Sequence, residues 1–84
     1  MTHKEEQKRQ HELSLELEVD SQHFGTRLRQ IRQSKGLSIE HVALKTGVSR
    51  QAISLMERCE SGARISTLQK VCKSLGISMV RLFE

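Results

Sequence analysis

Polar and apolar positions change period once along the chain. Leu13, Leu15, Leu17 and Val19 alternate strictly with polar residues, the period of a half-buried strand. Four alternating positions fit an acidic tail with scattered leucines equally well, and both readings stand at this point. A lone strand needs an edge to pair with. The expected edge is the same strand of a second subunit, or that of another protein. Upstream, Thr2 to Glu5 fits a capping box for a short helix over residues 3–12. From Ser21 onward the period is helical. Phe24, Leu28 and Ile31 predict a first helix, ended at Gly36 with Lys35 in its last turn. Ser38 is the expected cap of a second helix, with Val42, Ala43 and Thr46 inward and Gly47 as its stop. Ser49 caps a third, which turns Ile53, Met56 and Glu57 to one face. A polar loop, Cys59 to Arg64, precedes a fourth helix with Leu68, Val71, Cys72 and Leu75 inward. Ser78 caps a short last helix bearing Val80, Leu82 and Phe83. The pattern predicts an all-α bundle of five helices behind an N-terminal arm that forms a short strand or none.

Composition narrows the class. With 84 residues the chain has room for one small domain. Proline, Trp and Tyr are absent and Phe24 and Phe83 are the only aromatics, which excludes RNA-binding sheets and barrels that stack bases on exposed rings. Charge is divided along the sequence. Residues 1–20 carry three basic and six acidic side chains, whereas residues 21–84 carry eleven basic and four acidic. The expected organisation is an acidic arm over 1–20 and a basic domain over 21–84, the electrostatic footprint of a polyanion binder. Cys59 and Cys72 stand thirteen apart with no paired-cysteine motif, so both are expected to be reduced cytoplasmic thiols. The four histidines have no metal-ligand spacing. No nucleophile has a base at motif spacing, and no phosphate loop occurs. The reading is therefore of a non-enzyme without cofactor or metal, and with no membrane segment.

One spacing is specific. Ala43 lies four residues before Gly47, Val48 follows at once, and Ile53 comes five later. Two helices meeting sharply need a small residue at their approach, a left-handed turn residue, and apolar residues that lock the second onto the first. Ala43, Gly47, and Val48 with Ile53 and Met56 fit those roles in order. This is a helix-turn-helix, with its second helix offered to the DNA major groove.

The same residues carry a family resemblance. Phe24 through Ser38, Val42-Ala43, Gly47 through Arg58 and Leu75 through Phe83 resemble a Cro/repressor-type (Xre-like) helix-turn-helix domain, without a gap from about residue 23 to 84. The resemblance implies a repressor-like five-helix bundle that binds double-stranded DNA as a dimer on a palindromic site. It also implies an ion pair between Arg32 and Glu57, holding the third helix against the first. Base readout falls to Arg50, Gln51, Ser54 and Leu55. Arg50 suits guanine and Gln51 adenine, a phosphate contact being the lesser alternative for Arg50. Leu55 could meet a thymine methyl. Backbone contacts fall to Ser49, Arg58, Arg64, Lys45 and Arg27.

Three departures from the family pattern stand out. Ile39 replaces a Gln that meets a phosphate, Cys59 replaces a turn Gly, and Ala63-Arg64 replaces a Pro and Ser cap. A looser loop after the third helix is expected, with Arg64 gaining importance as a phosphate ligand. Leu13, Leu15, Leu17 and Val19, or Met79 and Phe83, are candidate dimer or partner contacts, and the last two could instead finish the monomer core. Two functions compete: a DNA-binding repressor, and an antitoxin-like or partner-regulated protein that uses residues 1–20 to bind another protein. The acidic arm could also fold over the basic face and compete with DNA.

Overall fold

The computed structural model describes residues 15–84. Strand β1 (Glu18–Val19) and a 3-10 turn (Ser21–His23) precede α1 (Gly25–Ser34), α2 (Ile39–Thr46) and α3 (Arg50–Glu57). Strand β2 (Ala63–Arg64), α4 (Ile65–Leu75) and α5 (Met79–Leu82) complete the chain. Among the described residues the five expected helices are present. The short helix over 3–12 and the strand position at Leu13 lie outside the described residues.

The helical periods read from the sequence are the periods of the core. Phe24, Leu28 and Ile31 of the first helical segment meet Val42, Ile53, Met56, Leu68, Val71, Cys72, Leu75 and Leu82 in one buried cluster. Burying a side chain of this size removes about 1.5–3 kcal/mol of exposure cost each. Val19, Leu37, Ile39, Ala43, Val48, Ile77 and Met79 pack on its edge. Ile39 is thus apolar because its own core half-covers it. Burial pushes the Cys72 thiol above its usual pKa, so it remains a neutral core side chain, and its Sγ donates to Met79 Sδ at 3.6 Å.

Serine caps act at two predicted places. Ser38 Oγ accepts from His41 N at 3.0 Å, and Ser49 Oγ from Ala52 N at 3.1 Å. Between α2 and α3, Gly47 takes φ +77°, a conformation open to glycine at little steric cost. Thr46 braces this turn: its hydroxyl donates to Val42 O at 2.7 Å and accepts from Val48 N at 3.1 Å.

The strand finds its partner within the chain. β1 pairs antiparallel with β2, Glu18 opposite Arg64 and Val19 opposite Ala63. The expectation of a second subunit's strand is corrected, because the backbone after α3 offers a nearer edge. The strand is also shorter than the alternation suggested: Leu15 and Leu17 precede it, and Leu17 is 62% exposed. Residues 18–20 therefore belong to the folded unit, Asp20 Oδ1 accepting from Gln22 N at 2.9 Å to cap the 3-10 turn.

Nor is the loop after α3 slack. Cys59 adopts φ +60°, the left-handed conformation of the glycine it replaces. Glu60 N and Ser61 N donate to Leu55 O at 2.9 and 3.3 Å, and Gln22 Nε2 reaches Cys59 O at 3.2 Å. α1 packs closely on this segment. A Cβ on Gly25 would collide with the Met56 carbonyl and stand 2.8 Å from Cys59 Sγ.

Two substitutions check this packing by thermal unfolding. Gly25→Ala should destabilise by at least about 1–3 kcal/mol, the cost of overpacking. Cys59→Gly should raise the melting temperature by relieving the left-handed strain, worth up to about 1 kcal/mol after glycine's entropy cost.

Candidate nucleic-acid interface

An ion pair orients α3. Arg32, in the last turn of α1, is 9% exposed and Glu57, at the end of α3, is 5% exposed. Arg32 Nε donates to Glu57 Oε2 at 2.7 Å and Nη2 to Oε1 at 2.8 Å. The third nitrogen, Nη1, donates to Leu37 O at 2.7 Å. One guanidinium thus joins α1, the α1–α2 loop and α3 with planar, charge-assisted bonds. The hydrogen bonds from Arg32 to Glu57 raise the guanidinium's pKa despite its burial, so the charge is fixed at all relevant pH.

With Met56, Ile53 and Glu57 turned inward, the opposite side of α3 faces solvent. Arg50 and Gln51 are exposed at its first turn, while Ser54 and Leu55 are half-buried. Leu55 borders the loop that its carbonyl anchors. Exposed Ser49 caps the helix whose N-terminal N–H groups look outward.

The basic residues expected at phosphates occupy separate places on the structure. Arg58 and Ser54 line a notch of roughly 160 Å³ with Arg29, Arg32, Ile39 and Glu57. The charge of Arg32 is taken by Glu57, leaving Arg29 and Arg58 as the cations of that notch that can meet an outside anion. Arg58 also lies 3.4 Å from Glu60, both side chains being more than half exposed. Arg29 did not stand out in the sequence as a member of this notch. Its signal was position: it stands one turn before Arg32, and so shares the face of α1 that meets the end of α3.

Arg27 lies elsewhere. Its Nε donates to Arg81 O at 3.1 Å and its Nη2 lies 3.8 Å from Glu84, so it ties α1 to α5. Lys45 lines a separate cleft of about 500 Å³ with Thr46, Lys70, Lys73 and Ser74, between α2 and α4. Arg64 is at the head of α4, its Nη1 3.0 Å from Glu16 Oε2. Among the expected partner contacts, Val19 and Met79 pack on the monomer's own core. Phe83 is 45% exposed and meets Phe24 edge to face at 6.3 Å between ring centroids. Among the described residues no cluster of His, Cys, Asp or Glu could hold a metal ion, and no helix is long and apolar enough to cross a membrane.

Comparison with known proteins gives a consistent picture. A helix-turn-helix family model matches residues 28–82. The chain is 42% identical over 60 residues to the HTH-type transcriptional regulator PuuR of Escherichia coli, a match covering 71% of this chain and 32% of PuuR. It therefore spans about a third of the length of that curated relative. Among solved structures, the restriction-modification controller protein C.AhdI from Aeromonas hydrophila is similar with a TM-score of 0.72 and 34% identity, over 76% of this chain and 97% of that one. The controller protein C.Esp1396I, solved as a tetramer on its natural 35 base-pair operator, is similar with a TM-score of 0.64 and 32% identity. That match covers 70% of this chain and 78% of the controller.

Removing one member of the central pair, as in Arg32→Ala or Glu57→Ala, should cost about 3–5 kcal/mol by leaving a buried charge uncompensated. The double variant should cost less than the sum of the two. Denaturant unfolding of all four proteins measures that coupling.

Proposed function

Because the chain belongs to the Xre-like, Cro/repressor-type helix-turn-helix family, we propose that it is a sequence-specific transcriptional regulator of double-stranded DNA that inserts α3 into the major groove. The observation that carries this reading is the pairing of a fixed back and a free front on one helix. Glu57 is locked to Arg32 by two short bonds, while Arg50 and Gln51 stand exposed at the other end. A reading helix held in one pose loses little freedom on binding. Arg50 then pairs bidentately with guanine and Gln51 with adenine. Ser49 and the α3 N-terminus face a phosphate, and Arg29 and Arg58 clamp the backbone beside the end of α3.

The regulator acts as a repressor and as a homodimer on a palindromic operator, its two reading helices about one DNA turn apart. Val80 and Phe83 support the dimer. Val80 lies on α5 and Phe83 just past its end, 68% and 45% exposed, so together they offer an apolar surface to a second copy. That a similar controller protein was solved as a tetramer on its operator supports binding to DNA as an oligomer. The role is one of binding rather than catalysis, in the cytoplasm, without a cofactor.

Selection of sites from a random duplex library should enrich a palindrome with the intact protein. On the selected duplex, Arg50→Ala and Gln51→Ala should each lose about 1–3 kcal/mol of discrimination at one position of each half-site. Arg29→Ala and Arg58→Ala should weaken binding to all sequences alike, each lowering the slope of log affinity against log salt by about 0.9 per protomer. No enriched site would contradict the reading.

A further inference from the structure

We propose that Glu16 is an internal competitor for the phosphate that Arg64 would grip, so that the end of the N-terminal arm sets the strength of the DNA contact. The proposal rests on the DNA reading above, extended by the phosphate contact expected of Arg64 from the sequence, and adds a residue that acts through Arg64.

The arm's last described residues form a strap over the loop that follows α3. Part of the strap is structural. Leu17 O accepts from Ile65 N at 3.1 Å, capping the start of α4, where Arg64 makes no side-chain cap. Val19 packs on the core and pairs with Ala63. The other part is electrostatic. Glu16 Oε2 lies 3.0 Å from Arg64 Nη1, and Glu18 is opposite Arg64 in the strand register. Glu18 and Arg64 also line one cleft with Ser61, Gly62 and the α3 residues Ala52 and Met56. Two carboxylates therefore neighbour one guanidinium in a cleft that α3 also lines.

A carboxylate and a phosphodiester offer that guanidinium the same chemistry, a single negative charge spread over two acceptor oxygens. Both side chains of the Glu16–Arg64 pair are about 60% exposed. A pair so exposed is weak enough to exchange partners and is screened by salt. DNA therefore displaces Glu16 rather than being blocked by it, and pays for that displacement in affinity. Glu16 touches no DNA in this scheme. It is a positioning residue.

Deleting the arm would remove the α4 cap and the Val19 packing together with the charge, so point variants of the full chain are the proper test. Glu16→Gln, Arg64→Ala and the double variant should be titrated with the selected duplex across a range of salt concentrations. Thermal unfolding of each variant verifies that the fold is retained. Glu16→Gln should tighten binding about two- to fivefold at low salt, with the gain fading as salt rises, and it should have no effect in the Arg64→Ala background. A gain that survives in that background would show only a long-range effect of removing one negative charge, and would overturn the proposal. So would no gain at all. If either result came with loss of specificity in Arg50→Ala, the DNA reading would stand while the strap's role fell. If no variant and no intact protein bound the duplex specifically, both would fall.

Discussion

The orientation of α3 depends on one buried ion pair. Arg32 supplies three nitrogens and uses them on three acceptor atoms: two carboxylate oxygens of Glu57 and the carbonyl of Leu37. A buried pair is costly to desolvate and is weak evidence for stability by itself. Its value here is directional. The planar guanidinium accepts Glu57 in one orientation, and Glu57 sits on the inner face of α3, next to Met56. Fixing that face fixes the whole helix, with Gln51 on the opposite side and Arg50 at its exposed first turn. The close approach of Gly25 to the Met56 carbonyl holds the same helix end from a second side. Capping by Ser49 and the brace at Thr46 hold the other end.

The segment after α3 shows how a fold absorbs departures from a family pattern. Cys59 stands where glycine would turn the chain and still adopts the left-handed conformation, because Gln22 holds its carbonyl and Leu55 accepts from the two residues that follow. Arg64 stands where a capping side chain would begin α4. The missing acceptor is supplied by the backbone of Leu17. The N-terminal arm thus replaces a local cap with a long-range one. Sequence distance from the domain did not make these residues dispensable to it.

Much of the fold was legible because helical periodicity and caps are local signals. Phe24, Leu28 and Ile31, or Leu68, Val71, Cys72 and Leu75, fall on one face by spacing alone, and all are buried. The position of Gly47 between two amphipathic segments marked the turn. Partnership was harder to read. The alternation from Leu13 to Val19 signalled a strand without saying whose edge it would meet, and the answer lay at Ala63–Arg64. Basic residues were harder still, since an exposed Arg on a helix reveals its charge but not its neighbours. Arg27 turned toward the α5 carbonyls, Lys45 joined Lys70 and Lys73, and Arg29 proved to be the cation beside Ser54 and Arg58. The Arg32–Glu57 pair was legible only through family resemblance, because twenty-five residues separate its members.

The measurement that tests the central claim most directly is a map of amide chemical shifts as a selected duplex is added to the isotopically labelled full chain. The account predicts the largest changes from Ser49 to Leu55 at the start and outer side of α3, with a second set at Arg29 and Arg58. Changes centred instead on the cleft of Lys45, Lys70 and Lys73, with α3 silent, would contradict it.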